Sequence, residues 1–387
     1  MVKLEAKQDS QFLDFTTSLV PEIKNRVSEI TDSRQIPIDL IHKMADGGLF
    51  RLYVPKSVGG HEISFVEFLK LVSLIAQADA SVAWCFNQNN VLATTSGFMH
   101  KSLAEKIWSD PRAILSNGPP VSPNAIPVEG GYNLSGRWNF SSGSRHATWA
   151  LAISPIAGRI GNNGLESKEM RDMFIPNDEV DWVDTWDVNG LRGTGSFSFT
   201  VNDKFVPEEN TYVLGDPPVA EGPLYLFSRT LLFCAGFATT ALGAARSSID
   251  SLIGDTSTRT PQDQNKLSLQ PFTHRELGQA EAIWRSANSY LNEAVEQLWD
   301  QAINDRKLQE KSRVNLRLAS THAIREAVRV TDIIYNLSGS TAIFESTPIQ
   351  RKSQDVRAIS QQIQGRMAHY DTAGQFFLGL EPEVKLY

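Results

Sequence analysis

Leu277, Trp284, Leu291 and Leu298 recur at seven-residue intervals, and this recurrence constrains the fold more than any other feature of the chain. An apolar side chain at every second turn makes a seam along a long helix, and other helices must cover it. Thr273-His274-Arg275-Glu276 reads as a capping box that opens this helix. Another helix, over roughly 312–337, places Ile324, Ala327, Val328, Ile334 and Leu337 on one face and stops at Ser338-Gly339. From Pro217-Pro218 onward the chain therefore reads as a helical bundle.

The beginning of the chain, to about residue 110, also reads as helical. Pro37 suits a first helical turn ahead of Leu40, Ile41 and Met44. Ser64-Phe65-Val66-Glu67 is a second capping box, before Phe68, Leu71, Val72 and Ile75. After Asp79-Ala80-Ser81 a further helix carries Val82, Trp84, Cys85, Phe86 and Val91. Its polar run Asn87-Gln88-Asn89-Asn90 is either a helix end or the wall of a polar cavity.

Between these helical parts, short alternating runs at 132–142, 147–154, 171–175 and 197–206 predict strands. Asn202-Asp203 reads as a hairpin turn. Several short strands in roughly a hundred residues make a small barrel or sandwich. In Gly131–Gly143 the apolar residues Tyr132, Leu134, Trp138 and Phe140 alternate with polar ones, and the run ends in Ser141-Ser142-Gly143. That end is either a turn closed by small residues, or a pair of hydroxyls offered to a ligand with ring nitrogens and carbonyls.

The 387 residues carry a net charge of −7 with no Lys/Arg run, which argues against a nucleic-acid partner. Two cysteines, Cys85 and Cys234, lie in apolar patterns and read as buried thiols in a reducing compartment. No signal-peptide core opens the chain, and the apolar stretch 231–245 is too short for a bilayer. The expectation is a cytoplasmic protein with no membrane contact.

Helices, a β module and a long-helix bundle, in that order, resemble the acyl-CoA dehydrogenase superfamily over nearly the whole chain. Leu52-Tyr53-Val54-Pro55-Lys56-Ser57-Val58-Gly59-Gly60 is similar to its "P-x-x-x-G-G" turn, and Gly190-Leu191-Arg192-Gly193-Thr194-Gly195-Ser196 to its "G-x-R-x-(S/T)" segment. The resemblance implies an α+β fold: an N-terminal helical domain (1–112), a central small β-barrel (113–213) and a C-terminal four-helix bundle (214–387).

Two chemistries compete within that superfamily. Dehydrogenases oxidise acyl-CoA thioesters with a carboxylate base. The flavin-dependent monooxygenases of two-component systems take free reduced flavin and O2 and work through a C4a-hydroperoxyflavin. Gly136-Arg137-Trp138-Asn139-Phe140-Ser141-Ser142-Gly143, Asp79-Ala80-Ser81-Val82-Ala83-Trp84 and the tail through Ala368-His369-Tyr370-Asp371 resemble the monooxygenases. Of the two places where the dehydrogenase base belongs, Ser228-Arg229-Thr230 holds no carboxylate and Tyr370-Asp371 holds only the shorter Asp371. The dehydrogenase with Asp371 as base stays second, and a catalytically silent flavin-binding protein third.

By the resemblance Ser141 lies against flavin N5, and His369 is the acid–base group, since imidazole titrates near neutrality. Ser142, Arg259, Ser360, Gln361 and Gln362 are the further candidates for holding reduced FMN or FAD. Trp84, Phe86, Ser116 and His369 are the candidates for contacting a small aromatic or heteroatom-containing substrate. His146 is a further histidine near the Ser-Ser-Gly end, possible also at an exposed turn. No GxGxxG lies between a strand and a helix, so a separate NAD(P)H–flavin reductase is expected as partner. The assembly implied is a homotetramer.

Overall fold

The computed structural model describes residues 2–158, 169–256 and 266–381. The chain opens on α1 (Val2–Asn25), α2 (Val27–Ser33), α3 (Ile38–Asp46), α4 (Phe65–Ala78), α5 (Ala80–Ala93) and α6 (Lys101–Trp108). Ser64 Oγ accepts from the Glu67 amide at 3.1 Å and starts α4, as its capping box predicts. Asp79 Oδ1 accepts from the Ser81 and Val82 amides at 2.9 and 3.0 Å and starts α5.

Every residue of α5 is buried. The Asn87-Gln88-Asn89-Asn90 run therefore lies inside a helix and not at its end. Three of its amides serve backbone or side-chain groups of neighbouring segments. Gln88 Nε2 donates to Asn117 Oδ1 at 2.7 Å, Asn89 Nδ2 to Leu115 O at 2.7 Å and Asn90 Nδ2 to Leu49 O at 2.8 Å. Buried loops need such partners, because an unpaired backbone group inside a protein is costly.

The strands are β1 (Leu115–Asn117), β2 (Asn124–Val128), β3 (Gly131–Ser141), β4 (Trp149–Pro155), β5 (Met170–Pro176), β6 (Asp181–Val183), β7 (Phe197–Pro207) and β8 (Thr211–Val213). They form two four-stranded sheets, β1-β4-β5-β8 and β2-β3-β7-β6, over a shared core that includes Tyr132, Leu134, Trp138, Met173 and Phe199. The expected barrel is not closed. Edge strands β1, β6 and β8 are each three residues long, too short to stitch the sheets together, so the module is a sandwich.

Asn202-Asp203 is not a hairpin turn either. It lies within β7, where the register with β3 shifts between Leu134↔Lys204 and Gly136↔Val201. Asp203 takes φ 47° and its amide donates to Ser135 Oγ at 2.9 Å. A left-handed residue inside a strand makes a bulge, and the turn chemistry of Asn-Asp serves that equally well.

Helices α7 (Arg229–Thr256), α8 (Pro271–Asn304), α9 (Glu310–Ser338) and α10 (Pro348–Gln361) make the bundle, and α11 (Ala368–Phe377) packs on α9. Leu291 and Leu298 are buried, while Leu277 and Trp284 flank the same core. Helix α8 starts two residues before its predicted cap, with Pro271 in the first turn and Thr273 buried inside the helix. Proline at that position gives up an amide that the helix leaves unpaired in any case.

The β module is tied to the bundle by a buried ion pair. Asp172, fully buried on β5, meets Arg229 at 2.8 Å and accepts from Tyr212 Oη at 2.5 Å.

Candidate active site

The site is made by an irregularity in β3. Between Trp138↔Phe199 and Ser141↔Phe197, β3 advances three residues while β7 advances two. The extra residue is Phe140, which takes φ 57° and is 61% exposed, its ring edge-on to Trp186. Simple alternation puts Phe140 inside; the bulge throws it out and turns Ser141 into the inward slot, fully buried. A left-handed phenylalanine costs about 1–2 kcal/mol, which the surrounding structure must offset.

Two hydroxyl chains meet at this point. Ser116 Oγ donates to Ser142 O at 3.0 Å and lies 2.7 Å from Ser141 Oγ. A hydroxyl has one proton, so Ser141 must donate to Ser116, which leaves the Ser141 lone pairs open. In the second chain, Thr194 Oγ1 donates to Leu191 O at 2.9 Å, so Ser196 donates to Thr194 at 2.7 Å and Ser142 to Ser196 at 2.8 Å. The Trp84 indole N–H completes that chain by donating to Ser142 Oγ at 2.9 Å. The Ser142 hydroxyl is thus committed within the protein.

Trp84 also stacks on Phe237 of α7, centroids 3.7 Å apart, and Phe237 stacks on Phe233 at 5.5 Å. Phe86 does not join this wall. Two residues along a helix it points about 200° away, and it stacks on Phe68 within the N-terminal helices at 5.1 Å. Asn87 is fully buried against Gly236, where an added Cβ would meet its Oδ1 at 1.9 Å, and neither amide atom has a partner. His146 is not at an exposed turn. It is buried 3.3 Å from Asn89 Oδ1, and burial alone lowers its pKa to about 3, so it stays neutral.

His369 belongs to a second cluster. It is buried at the start of α11, with Nε2 2.7 Å from Ile363 O and beside Arg317 Nη2. Burial and then Arg317 press its pKa below the usual histidine value, against the pull of the Ile363 carbonyl. It is therefore neutral near pH 7 and able to accept a proton.

The other tail candidates lie close by in sequence. Ser360 Oγ donates to Arg357 O at 2.7 Å, Gln362 Oε1 accepts from the Gln364 amide at 2.7 Å, and Gln361 is exposed. Arg259 lies outside the described residues. Asp371 is exposed on α11, the wrong setting for a base that must work away from water. Helix α7 links the clusters, since it packs on α9, which carries Arg317, and its Phe237 stacks on Trp84. A surface cavity of about 620 Å³ is lined by His100, Arg171 and Tyr212 at the β8 edge and includes none of these residues.

Comparison with known proteins decides between the two chemistries. Residues 14–101 match "Acyl-CoA dehydrogenase, N-terminal domain" and residues 235–365 match "Acyl-CoA dehydrogenase, C-terminal domain". An indole-3-acetate monooxygenase of Pseudomonas putida is 30% identical over 92% of this chain and 91% of its own. The chain belongs to the acyl-CoA dehydrogenase family. Within that family it is a flavin-dependent monooxygenase.

The oxygenase subunit HsaA of a flavin-dependent monooxygenase from Rhodococcus jostii is 26% identical over 88% of this chain and 91% of that one. The structure of XiaF from Streptomyces sp. in complex with FADH2 and glycerol superposes with a TM-score of 0.88. It shares 22% identity and covers 99% of this chain and 98% of that one. This monooxygenase uses reduced flavin and O2.

The residues present fit a reduced flavin. A buried hydroxyl with open lone pairs, Ser141, suits an N–H at a ring edge, and the ring's apolar faces suit a buried aromatic wall. Two parts of the site escaped sequence reasoning: Arg317 and the Ser196–Thr194 extension. Arg317 carried a usable signal, because positions 314, 320, 321 and 324 around it read as the buried stripe of α9. Nothing in the sequence pairs Ser142 with Ser196.

Proposed function

We propose that this chain is the oxygenase component of a two-component system, fed with reduced FMN or FAD by a separate NAD(P)H–flavin reductase. It inserts oxygen into a small aromatic or heteroatom-containing substrate, and indole-3-acetate is the first compound to try. The setting proposed is cytoplasmic; among the described residues no helix is long and apolar enough to cross a membrane. The assembly proposed is a homotetramer, which suits exposed apolar side chains such as Phe344, Met367 and Leu378.

One observation carries the reading: the bulge at Phe140 buries Ser141 as an open acceptor beside a hydroxyl network whose other protons all have destinations. Bound reduced flavin supplies the electrons that activate O2. Ser141 accepts from the ring N5–H and slows its loss. Trp84, Phe233 and Phe237 exclude water and seat an aromatic ring. Neutral His369 takes or returns the substrate proton. Nδ1 is the nitrogen free to do so, since Nε2 is engaged by Ile363 and Arg317.

The test is to mix the protein anaerobically with reduced flavin, then with O2, and follow flavin absorbance. A transient distinct from both reduced and oxidised flavin is expected. Immediate reoxidation without it, or rapid flavin bleaching by acyl-CoA thioesters that Asp371→Asn abolishes, would overturn the proposal.

A further inference from the structure

Arg317 is 3% exposed, and Val314, Ser320, Thr321 and Ile324 around it on α9 are buried too. Its guanidinium is permanently charged. Among the described residues no aspartate or glutamate pairs with it, and burial presses its pKa below the usual arginine value. Arg171, also buried, meets Glu169 and Glu208, and the half-buried Arg229 meets Asp172. Buried charges in proteins are normally paired in this way.

The hydrogen bonds of Arg317 also fall short. Nη1 donates to Gln364 Oε1, but Nε has no acceptor. Nη2 faces His369 Nε2, and that nitrogen also lies 2.7 Å from Ile363 O. One ring nitrogen cannot accept from the guanidinium and donate to the carbonyl at once. If it donates to Ile363, Nη2 loses its main acceptor and keeps only a 3.4 Å contact to Ile363 O. A guanidinium with two under-used edges, beside the candidate proton-transfer group, lacks an anion with two acceptor oxygens.

We propose that Arg317 is a carboxylate-binding subsite, the anchor for the acid arm of an aromatic substrate whose ring lies along Phe237 and Trp84. This rests on the monooxygenase reading above and names its substrate class. Helix α7 packs along α9, which carries Arg317, and Phe237 of α7 stacks on Trp84, so the cation and the aromatic wall share one helix pair. A planar carboxylate and a guanidinium fit two-pronged, which explains arginine here in place of lysine. The acid arm then fixes which ring carbon faces His369.

The same cation could serve an anionic part of the flavin, and the experiment separates the two. Binding of phenylacetate, indole-3-acetate and their amides is measured by calorimetry under nitrogen, with and without reduced FMN, for the wild type, R317Q and R317K. No oxygen chemistry is needed, so a failed absorbance transient in the earlier test does not affect the outcome. The wild type is expected to bind at least one acid about 10-fold or more tighter than its amide. R317Q should lose that preference, R317K should keep part of it, and flavin affinity should stay within about twofold. Equal affinity for acids and amides, no binding of any acid, or an R317Q that loses flavin while keeping the acid preference would overturn the proposal. Should R317Q fail to fold, the wild-type acid-to-amide ratio and R317K still decide it.

Discussion

The hydroxyl cluster around Ser142 and the cation cluster around Arg317 both lean on α7, yet they are built in opposite ways. Around Ser142 each proton has a destination, from the Trp84 indole through Ser142, Ser196 and Thr194 to Leu191 O. The groups are neutral and mutually satisfied. Around Arg317 a full charge is buried without an acid among the described residues, and a donor (the guanidinium) and an acceptor (the Ile363 carbonyl) compete for one histidine nitrogen. Satisfied networks hold a structure together, whereas an unsatisfied charge is held in place by structure elsewhere. The contrast separates the part that positions from the part that waits for a ligand.

The sharpest way to break this comparison is His369→Asn. Loss of a general acid–base group costs about 10²-fold or more in product formation. Because burial and Arg317 lower the His369 pKa, the wild-type rate should fall only as pH drops below the ordinary histidine range. The variant should lack that limb in a rate–pH profile with reductase-supplied flavin. An unchanged rate and profile would remove the cation cluster from the chemistry.

Stability offers the next largest contrast, and its two halves have opposite sign. Ser142→Ala strands the Trp84 N–H and should cost about 1–3 kcal/mol in urea unfolding. Arg317→Met removes a buried unpaired charge and should cost nothing or stabilise by about 1 kcal/mol, even though Gln364 loses its partner. Equal losses in both would show that the cation cluster is as structural as the hydroxyl one.

Asp355 sharpens the comparison through pH. It accepts from the Leu191 amide at 2.6 Å at the foot of the hydroxyl chain, and burial, then Asp79, push its pKa up to about 7. The folded state thus holds a proton that the unfolded chain, with an ordinary pKa of about 4, releases. This contribution to stability is present below about pH 4 and lost as pH rises through about 7. Asp355→Asn keeps the acceptor without the charge, so it should raise the melting temperature more at pH 8 than at pH 5. The same gain at both pH values would refute the assignment.

The smallest effect belongs to Ser141→Ala. One hydrogen bond to the ring is worth about 1 kcal/mol, so the ratio of hydrogen peroxide to product should rise about fivefold. A peroxide assay beside product chromatography reads it, and substrate affinity should not move.

Much of this was legible in the chain. The predicted strands at 132–142, 147–154, 171–175 and 197–206 match β3, β4, β5 and β7 within a few residues, because sheet periodicity is local. The capping residues Ser64 and Asp79 stand where α4 and α5 begin. Within the site, the grouping of Ser116, Ser141, Ser142 and Trp84 was foreshadowed only through family likeness. Phe86 was misplaced, because composition marks a helix as apolar without saying which way each residue faces. Arg317 was passed over because an arginine in a helix is ordinary until the faces around it are known to be closed.

The chain by itself determined the order of helical and β segments, the seam of α8 and the kind of residues available for chemistry. These rest on the spacing of apolar side chains and on caps, which act over a few residues. Tertiary structure alone decided that β3 bulges at Phe140, that Ser141 faces inward, and that Arg317 lies beside His369 52 residues away. A bulge is settled by register against β7, and burial by what packs on the other side. Both depend on contacts between segments far apart in the chain, where no local pattern reaches.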